Sequence, residues 1–357
     1  MFAQGRNEEA ENAARALVER IPQHPFGRKL LGGIYHRRGD AQGALNAMAM
    51  SARFDPDDAE TLSNLGMLLM RANRLDESEN VLRRALALRP GNVDAHNHLA
   101  ITLAELGRPT EAQASANAAL ALDPHHEKAA ITLALILRTQ GRPAEAVAVY
   151  RELLARNPEN TDAHSNMLFC LSEMPGLTPE ALFAEHRLYG GLIERRTAPP
   201  APLDNTPEPE RRLRIGFVSG DLRNHAVASF IEPIFDRLGR RPGLTLHAYY
   251  THTLHDEVTE RLRGHLPHWR DVAALDDDEL ERLVRADGID ILIDLSGHTA
   301  FNRLPAFARR LAPLVPGSAA SQLRGDAATQ RGPRHAITGA GAPDPPVRAV
   351  PRGPAYR

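Results

Sequence analysis

Prolines stand at Pro22, Pro56, Pro90, Pro124 and Pro158, each 34 residues after the one before. The same interval runs through other columns. Leucine recurs at Leu31, Leu65, Leu99 and Leu133, each followed by a small residue, at Gly32, Gly66, Ala100 and Ala134. A second small column runs through Ala10, Ala44, Ser78, Ala112 and Ala146, and a turn column through Gly5, Gly39, Asn73, Gly107 and Gly141. Small residues let two helices approach closely, and Gly or Asn accepts a left-handed turn between them. Proline ends the second helix because it cannot continue the hydrogen-bond ladder. A unit this short cannot bury its own apolar face, so neighbouring units must stack.

A helix–turn–helix unit of this period is the tetratricopeptide repeat. The expected architecture for residues 1–171 is therefore an α-solenoid, a tetratricopeptide superhelix, with Met1 falling late in a unit so that the array opens on a half-repeat. Such a superhelix has a concave face, and one polar column follows it at the repeat interval: Asn64, His98, Thr132 and Asn166. As a solvated helix face the column has no further role. As a ladder of donors and acceptors it grips an extended backbone, which makes proteins or peptides the expected partners. His24 and the pair His125–His126 fall at repeat joints beside the prolines, a spacing that fits loop residues and no metal site.

Composition removes several classes of partner. The formal net charge is −2, which gives no bulk attraction to nucleic acid or to an anionic membrane. Lysine occurs only at Lys29 and Lys128, so basic charge is almost all arginine. No run approaches the ~18 apolar residues of a membrane span, and the N-terminus lacks the layout of a signal peptide. The single cysteine, Cys170, excludes an internal disulfide and sits in the apolar run Met167 to Leu171, where a small core residue belongs. A cytoplasmic protein with no nucleic-acid or membrane partner is expected.

Met174-Pro-Gly-Leu-Thr-Pro179 breaks the 34-residue rhythm. Thr178, Pro179 and Glu180 make a helix start of cap, proline and acid, predicting a helix to about Arg196. A proline-rich connector closes the joint, residues 172–212. From 213 to 313 apolar strand-like runs, Ile215–Ser219, Leu244–Tyr250 and Ile289–Leu295, alternate with helical patterns at about Ala226–Leu238, Leu254–His265 and Asp276–Asp287. His268-Trp-Arg-Asp-Val272 is a further short strand candidate. This alternation predicts a parallel sheet in an α/β, Rossmann-like lobe. The turns after the first and last strands then present His225 and His298 at one edge, the latter beside Gly297, Thr299 and Asn302.

Leu213–Asp221 with Asn224-His225, then His268-Trp-Arg-Asp, then Asp287-Gly-Ile-Asp-Ile-Leu-Ile-Asp-Leu-Ser-Gly-His-Thr299, resemble the bacterial relatives of the protein O-linked N-acetylglucosamine transferase and SPINDLY group. The repeats, including Asp162-Ala-His-Ser-Asn-Met, are similar to the array that group carries, so the resemblance covers about residues 1–313. It implies a two-lobed GT-B glycosyltransferase, of which residues 213–313 are the first, acceptor-side lobe. The reaction it implies is transfer of N-acetylglucosamine (fucose in the SPINDLY branch) from a nucleotide donor, UDP-GlcNAc, to Ser or Thr hydroxyls of proteins, with no metal cofactor. The resemblance makes His225 the catalytic general base, His268 a second active-site histidine, and Gly297, His298 and Thr299 part of the turn that shapes the cleft. The family's ladder is typically asparagine. Asn64 and Asn166 keep it, whereas His98 and Thr132 depart from it.

After Pro313 the resemblance stops. Residues 314–357 are rich in Ala, Gly, Pro and Arg, hold no aromatic residue before Tyr356, and show no helical or strand period. The expectation is a disordered, non-native tail, as from a reading-frame change or truncation, and a chain lacking the donor lobe. The alternative function is a non-catalytic tetratricopeptide scaffold that binds peptides.

Overall fold

The computed structural model describes residues 7–197, 202–206, 208 and 210–315. Gly5, half of the proline-rich connector and nearly all of the expected tail, 316–357, lie outside the described residues.

Ten helices run in sequence over the repeats: α1 (Asn7–Arg20), α2 (Pro25–Arg37), α3 (Ala41–Phe54), α4 (Ala59–Arg71), α5 (Leu75–Leu88), α6 (Val93–Glu105), α7 (Pro109–Leu122), α8 (Glu127–Thr139), α9 (Pro143–Arg156) and α10 (Thr161–Ser172). The columns explain them. Gly39, Asn73, Gly107 and Gly141 all have positive φ, between 57° and 79°, at the turn inside each unit. The second small column is buried throughout, and Ser78, its one polar member, satisfies its hydroxyl on the Gly66 carbonyl at 2.8 Å.

Each of α2, α4, α6, α8 and α10 begins on a side-chain cap, at His24, Asp58, Asn92, His126 and Asn160. His24 and His126 are therefore not merely solvated loop residues. Each lends ring Nδ1 to a backbone N–H of the next helix, at 3.3 and 3.1 Å.

One apolar core runs from α4 through α10 into α11 (Pro179–Arg196) and takes in Leu304 from α15 (Leu304–Phe307). The repeats and the region after them therefore share buried surface. Cys170 lies in this core, and burial pushes its thiol up to about 11, which keeps it protonated and unreactive.

The following region holds a small sheet of β1 (Leu213–Ser219), β2 (Leu244–Tyr250), β3 (His268–Asp271) and β4 (Ile291–Asp294), in the order β3-β2-β1-β4. Every pairing is parallel. α12 (Ala226–Gly239) and α13 (Glu257–His265) share one core with Ile215, Phe217, Leu246 and Tyr250. α14 (Asp277–Ala286) and α15 share another with Val218, Tyr249 and Leu292.

Some bounds differ from the sequence reading, and β4 is shorter at both ends than the run Ile289–Leu295. α13 starts at Glu257 and not near Leu254, because Asp256 and Thr259 form a reciprocal capping box there. The sheet region also continues past Pro313: Leu314 bridges Ile291 in parallel and exchanges backbone hydrogen bonds with Asp290 and Leu292, laying a neighbour beside β4.

Candidate functional site

β1 and β4 lie side by side and parallel, so the turns that follow them leave the same edge of the sheet. The turns are tied to one another. Gly220 N–H donates to Ser296 Oγ at 3.3 Å, and Thr299 Oγ1 donates to Asp221 Oδ2 at 3.3 Å. Gly220 allows the close approach, since a Cβ there would stand 2.8 Å from Cβ of Phe301. Asp294 ends β4 and receives N–H bonds from Ser296 and Gly297, while burial lifts its carboxyl to about 6. Gly297 takes φ +57°, which turns the chain toward His298.

His298 points back at the repeats. Its Nδ1 lies 2.9 Å from Ser165 Oγ on α10 and its Nε2 lies 3.2 Å from His186 Nδ1 on α11. Tyr189 meets the ring edge-on, with centroids 5.3 Å apart. Burial first, and His186 second, hold His298 down to about 3, so it is a neutral structural ring at ordinary pH.

His225 is the N-cap of α12. Its Nδ1 accepts from Val227 N–H at 3.3 Å and stands 3.9 Å from Asp221 Oδ1. The side chain is 38% exposed, so the remaining ring edge is open to solvent.

Between these turns and the last repeat lies a cleft of about 670 Å³. Asn166, His225, His298, Thr299 and Asn302 line it together, with Phe301, Phe169 and Tyr189 supplying apolar wall. Asn302 fixes its own turn by donating to the Thr299 carbonyl at 2.8 Å.

His268 does not reach this cleft. It opens β3, the strand at the end of the sheet order, level with His247 and three residues short of the carboxyl end, and its ring stacks on His247 at 4.3 Å. Asn64, His98 and Thr132 sit in α4, α6 and α8, one in each successive repeat, and do not line the cleft either. Thr132 is buried. Burial holds His98 down to about 4, and its Nδ1 has no hydrogen-bond partner.

Sequence reasoning missed several residues of the site. Ile101, Leu135 and Phe169 form an apolar column at the repeat interval. Ile101, Leu135 and Thr132 line a groove of about 330 Å³, and Leu135 also lines the cleft, so the two share one wall residue. That column was readable in the sequence. Ser165, His186 and Tyr189 had no local signal.

Tetratricopeptide repeat family models match residues 2–59 and 63–127, and a second such model matches residues 103–165. The probable UDP-N-acetylglucosamine–peptide N-acetylglucosaminyltransferase SPINDLY of Arabidopsis thaliana is 31% identical over 168 residues, 44% of this chain and 17% of that protein. A second Arabidopsis protein, SEC, with the same probable activity in its name, is 31% identical over 105 residues. A mutant of the O-GlcNAc transferase from Thermobaculum terrenum superposes with a TM-score of 0.52 at 30% identity, covering 88% of this chain and 51% of that one. The chain is an O-GlcNAc-transferase-like tetratricopeptide-repeat protein. Its match spans about a sixth of the curated relatives' length and about half of the solved structure. The latter likeness takes in the region of the sheet as well as the repeats, since the repeats end near residue 171 of 357. Among the described residues no group of three or more His, Cys, Asp or Glu side chains could hold a metal ion, and no helix is long and apolar enough to cross a membrane.

Proposed function

We propose that the described residues are the peptide-holding and acceptor-side part of a protein O-glycosyltransferase of GT-B type, working in the reducing cytoplasm. One observation carries the reading. Leu135 lines both the groove along the repeats and the cleft that holds Asn166 and His225. An extended peptide in the groove would bring a Ser or Thr hydroxyl to the sheet edge. The hydroxyl O–H bond breaks and its proton passes to His225. The oxygen bonds to the anomeric carbon of N-acetylglucosamine, and UDP leaves with the electron pair of the bond it gives up. In a two-lobed enzyme the UDP-sugar is held mainly by the second lobe, where a helix N-terminus and basic side chains neutralise the diphosphate. Only one α/β lobe is present among the described residues.

A second reading has its own support. A neutral His225 that accepts at Nδ1 carries its proton on Nε2 and offers the cleft a donor, not a base. A peptide-binding scaffold needs nothing more. The purified 357-residue chain separates the two readings through peptide anisotropy and UDP calorimetry. Peptide binding together with micromolar UDP binding supports transfer. Peptide binding without UDP binding favours the scaffold, and failure of both sinks each reading.

A further inference from the structure

We infer that Asp221 is a positioning residue for His225, held in place by Thr299, and that it selects the ring tautomer able to act as a base. The inference rests on the acceptor-side reading above and adds a residue to it. Three observations carry it.

First, Asp221 is buried at 6% exposure and stands two residues after the end of β1, in the turn that leads to His225. Its backbone N–H is already taken by Ser219 Oγ at 2.9 Å, so the residue is fixed in its turn.

Second, its two carboxylate oxygens have different neighbours. Oδ2 accepts from Thr299 Oγ1, and that hydroxyl also donates toward the Ser296 carbonyl at 2.8 Å, so it is shared between two acceptors. Oδ1 faces His225 Nδ1 at 3.9 Å. Both flanking turns thus converge on one carboxylate, which points one oxygen at the cleft histidine.

Third, Nδ1 of His225 has two candidate partners that require opposite protonation. Val227 N–H is a donor, so bonding it needs a bare Nδ1 and leaves the proton on Nε2. Asp221 Oδ1 is an acceptor, so bonding it needs Nδ1–H and leaves Nε2 with a free lone pair. Only the second state lets Nε2 take a proton from a hydroxyl in the cleft. Neither contact is tight. The 3.3 Å cap is a long N–H···N bond and 3.9 Å is too far for a hydrogen bond. A small rotation of the ring therefore exchanges one partner for the other. When Nε2 gains its proton, the buried carboxylate stabilises the imidazolium that results.

The test needs no donor and no turnover. The full chain is labelled with ¹⁵N-histidine, the His225 resonances are assigned by loss in His225→Gln, and the Nδ1–H to Nε2–H ratio of the neutral ring is read from the nitrogen shifts. Wild type should show a measurable Nδ1–H population, and Asp221→Asn should lower the ratio by about tenfold, the scale of one charge-assisted hydrogen bond. Thr299→Val leaves the carboxylate but frees Oδ2, and should move the ratio in the same direction by a smaller factor. If Asp221→Asn does not fold, Thr299→Val decides alone. An unchanged ratio in the folded variants, or a wild-type ring wholly in the Nε2–H form, overturns the inference. Absence of sugar transfer would count against the proposed function and leave the tautomer result untouched.

Discussion

Ser165 Oγ and His298 Nδ1 lie 2.9 Å apart across 133 residues of chain. The pair joins the last repeat to the turn after β4, and His186 and Tyr189 complete the enclosure of the same ring. Ser165 and His298 also line the cleft between repeats and sheet, so the joint forms part of its wall.

Replacing His298 by Ala should cost about 2–3 kcal/mol, since it removes a packed ring and leaves Ser165 and His186 without their partner. Ser165→Ala should cost about 1 kcal/mol, the scale of one net hydrogen bond. In a double-mutant cycle followed by urea unfolding the two should couple. Strict additivity would mean the contact does not hold the joint.

The same ring sets a pH dependence. His298 is held down to about 3 against an ordinary value of 6.5. As pH falls below 6.5 the unfolded chain takes up a proton there and the folded chain does not until near 3. Stability is therefore present above 6.5 and lost across that window. Asp294 opposes this. Lifted to about 6 from 3.8, it is protonated first in the folded state and adds stability as pH falls between those values. Other buried histidines, His98 and His247 among them, are also held down to about 4, so the wild-type curve alone does not isolate this ring. The difference in unfolding free energy between wild type and His298→Asn should shrink by about 1–2 kcal/mol from pH 7 to pH 5. A constant difference would show that the ring is not buried neutral.

Those two residues also mark where sequence reading ends. The turn glycines, the small columns and the parallel alternation were legible because each is a local requirement repeated at a fixed interval. The same logic could have found the caps. His24 and His126 occupy a column shared with Asp58, Asn92 and Asn160, which identifies their role without coordinates. The joint was not legible, since nothing near His298 names a serine in the repeats as its partner. His268 shows a different limit. Resemblance supplied a residue type, while register put that residue three positions below the carboxyl end on an outer strand. For His225 the motif located the ring, but its tautomer depends on distances to Val227 and Asp221 that no spacing encodes.

Packing inside the repeats gives a sharper stability test. A Cβ at Gly66 would stand 2.4 Å from Leu82 Cγ, and Leu82 is fully buried. Gly66→Ala should therefore destabilise the chain by about 1–3 kcal/mol despite Ala being the better helix former. Gly91→Ala meets nothing within 4 Å and serves as the control. Equal melting temperatures for the two variants would contradict the close approach of α4 and α5.

Along the concave face the polar column should divide in two. Asn166 lines the cleft and is only partly buried, so Asn166→Ala should weaken peptide binding about three- to tenfold, as loss of one or two hydrogen bonds would. Thr132 is 7% exposed and has little side chain to offer a backbone. Thr132→Ala should leave affinity within error. Anisotropy titrations of one extended peptide against both variants decide this, and equal losses would restore an unbroken ladder.

His225 can be made to separate its structural from its chemical role. As the α12 cap it satisfies one backbone N–H, and His225→Ala should cost about 0.5–1 kcal/mol through that loss. Asparagine is among the best capping residues, so His225→Asn should recover the cost while removing the imidazole. If the chain, or a longer form of it, transfers sugar, His225→Asn should reduce kcat by about 10²–10⁴ with peptide affinity and melting temperature at wild-type values. Ala should show the same loss of kcat with the added loss of stability. A scaffold predicts otherwise: Asn equals wild type in every measurement, and Ala differs only in stability. Thermal melts, peptide titrations and a transfer assay on the same three proteins therefore assign His225 to the helix alone or to the helix and the chemistry together.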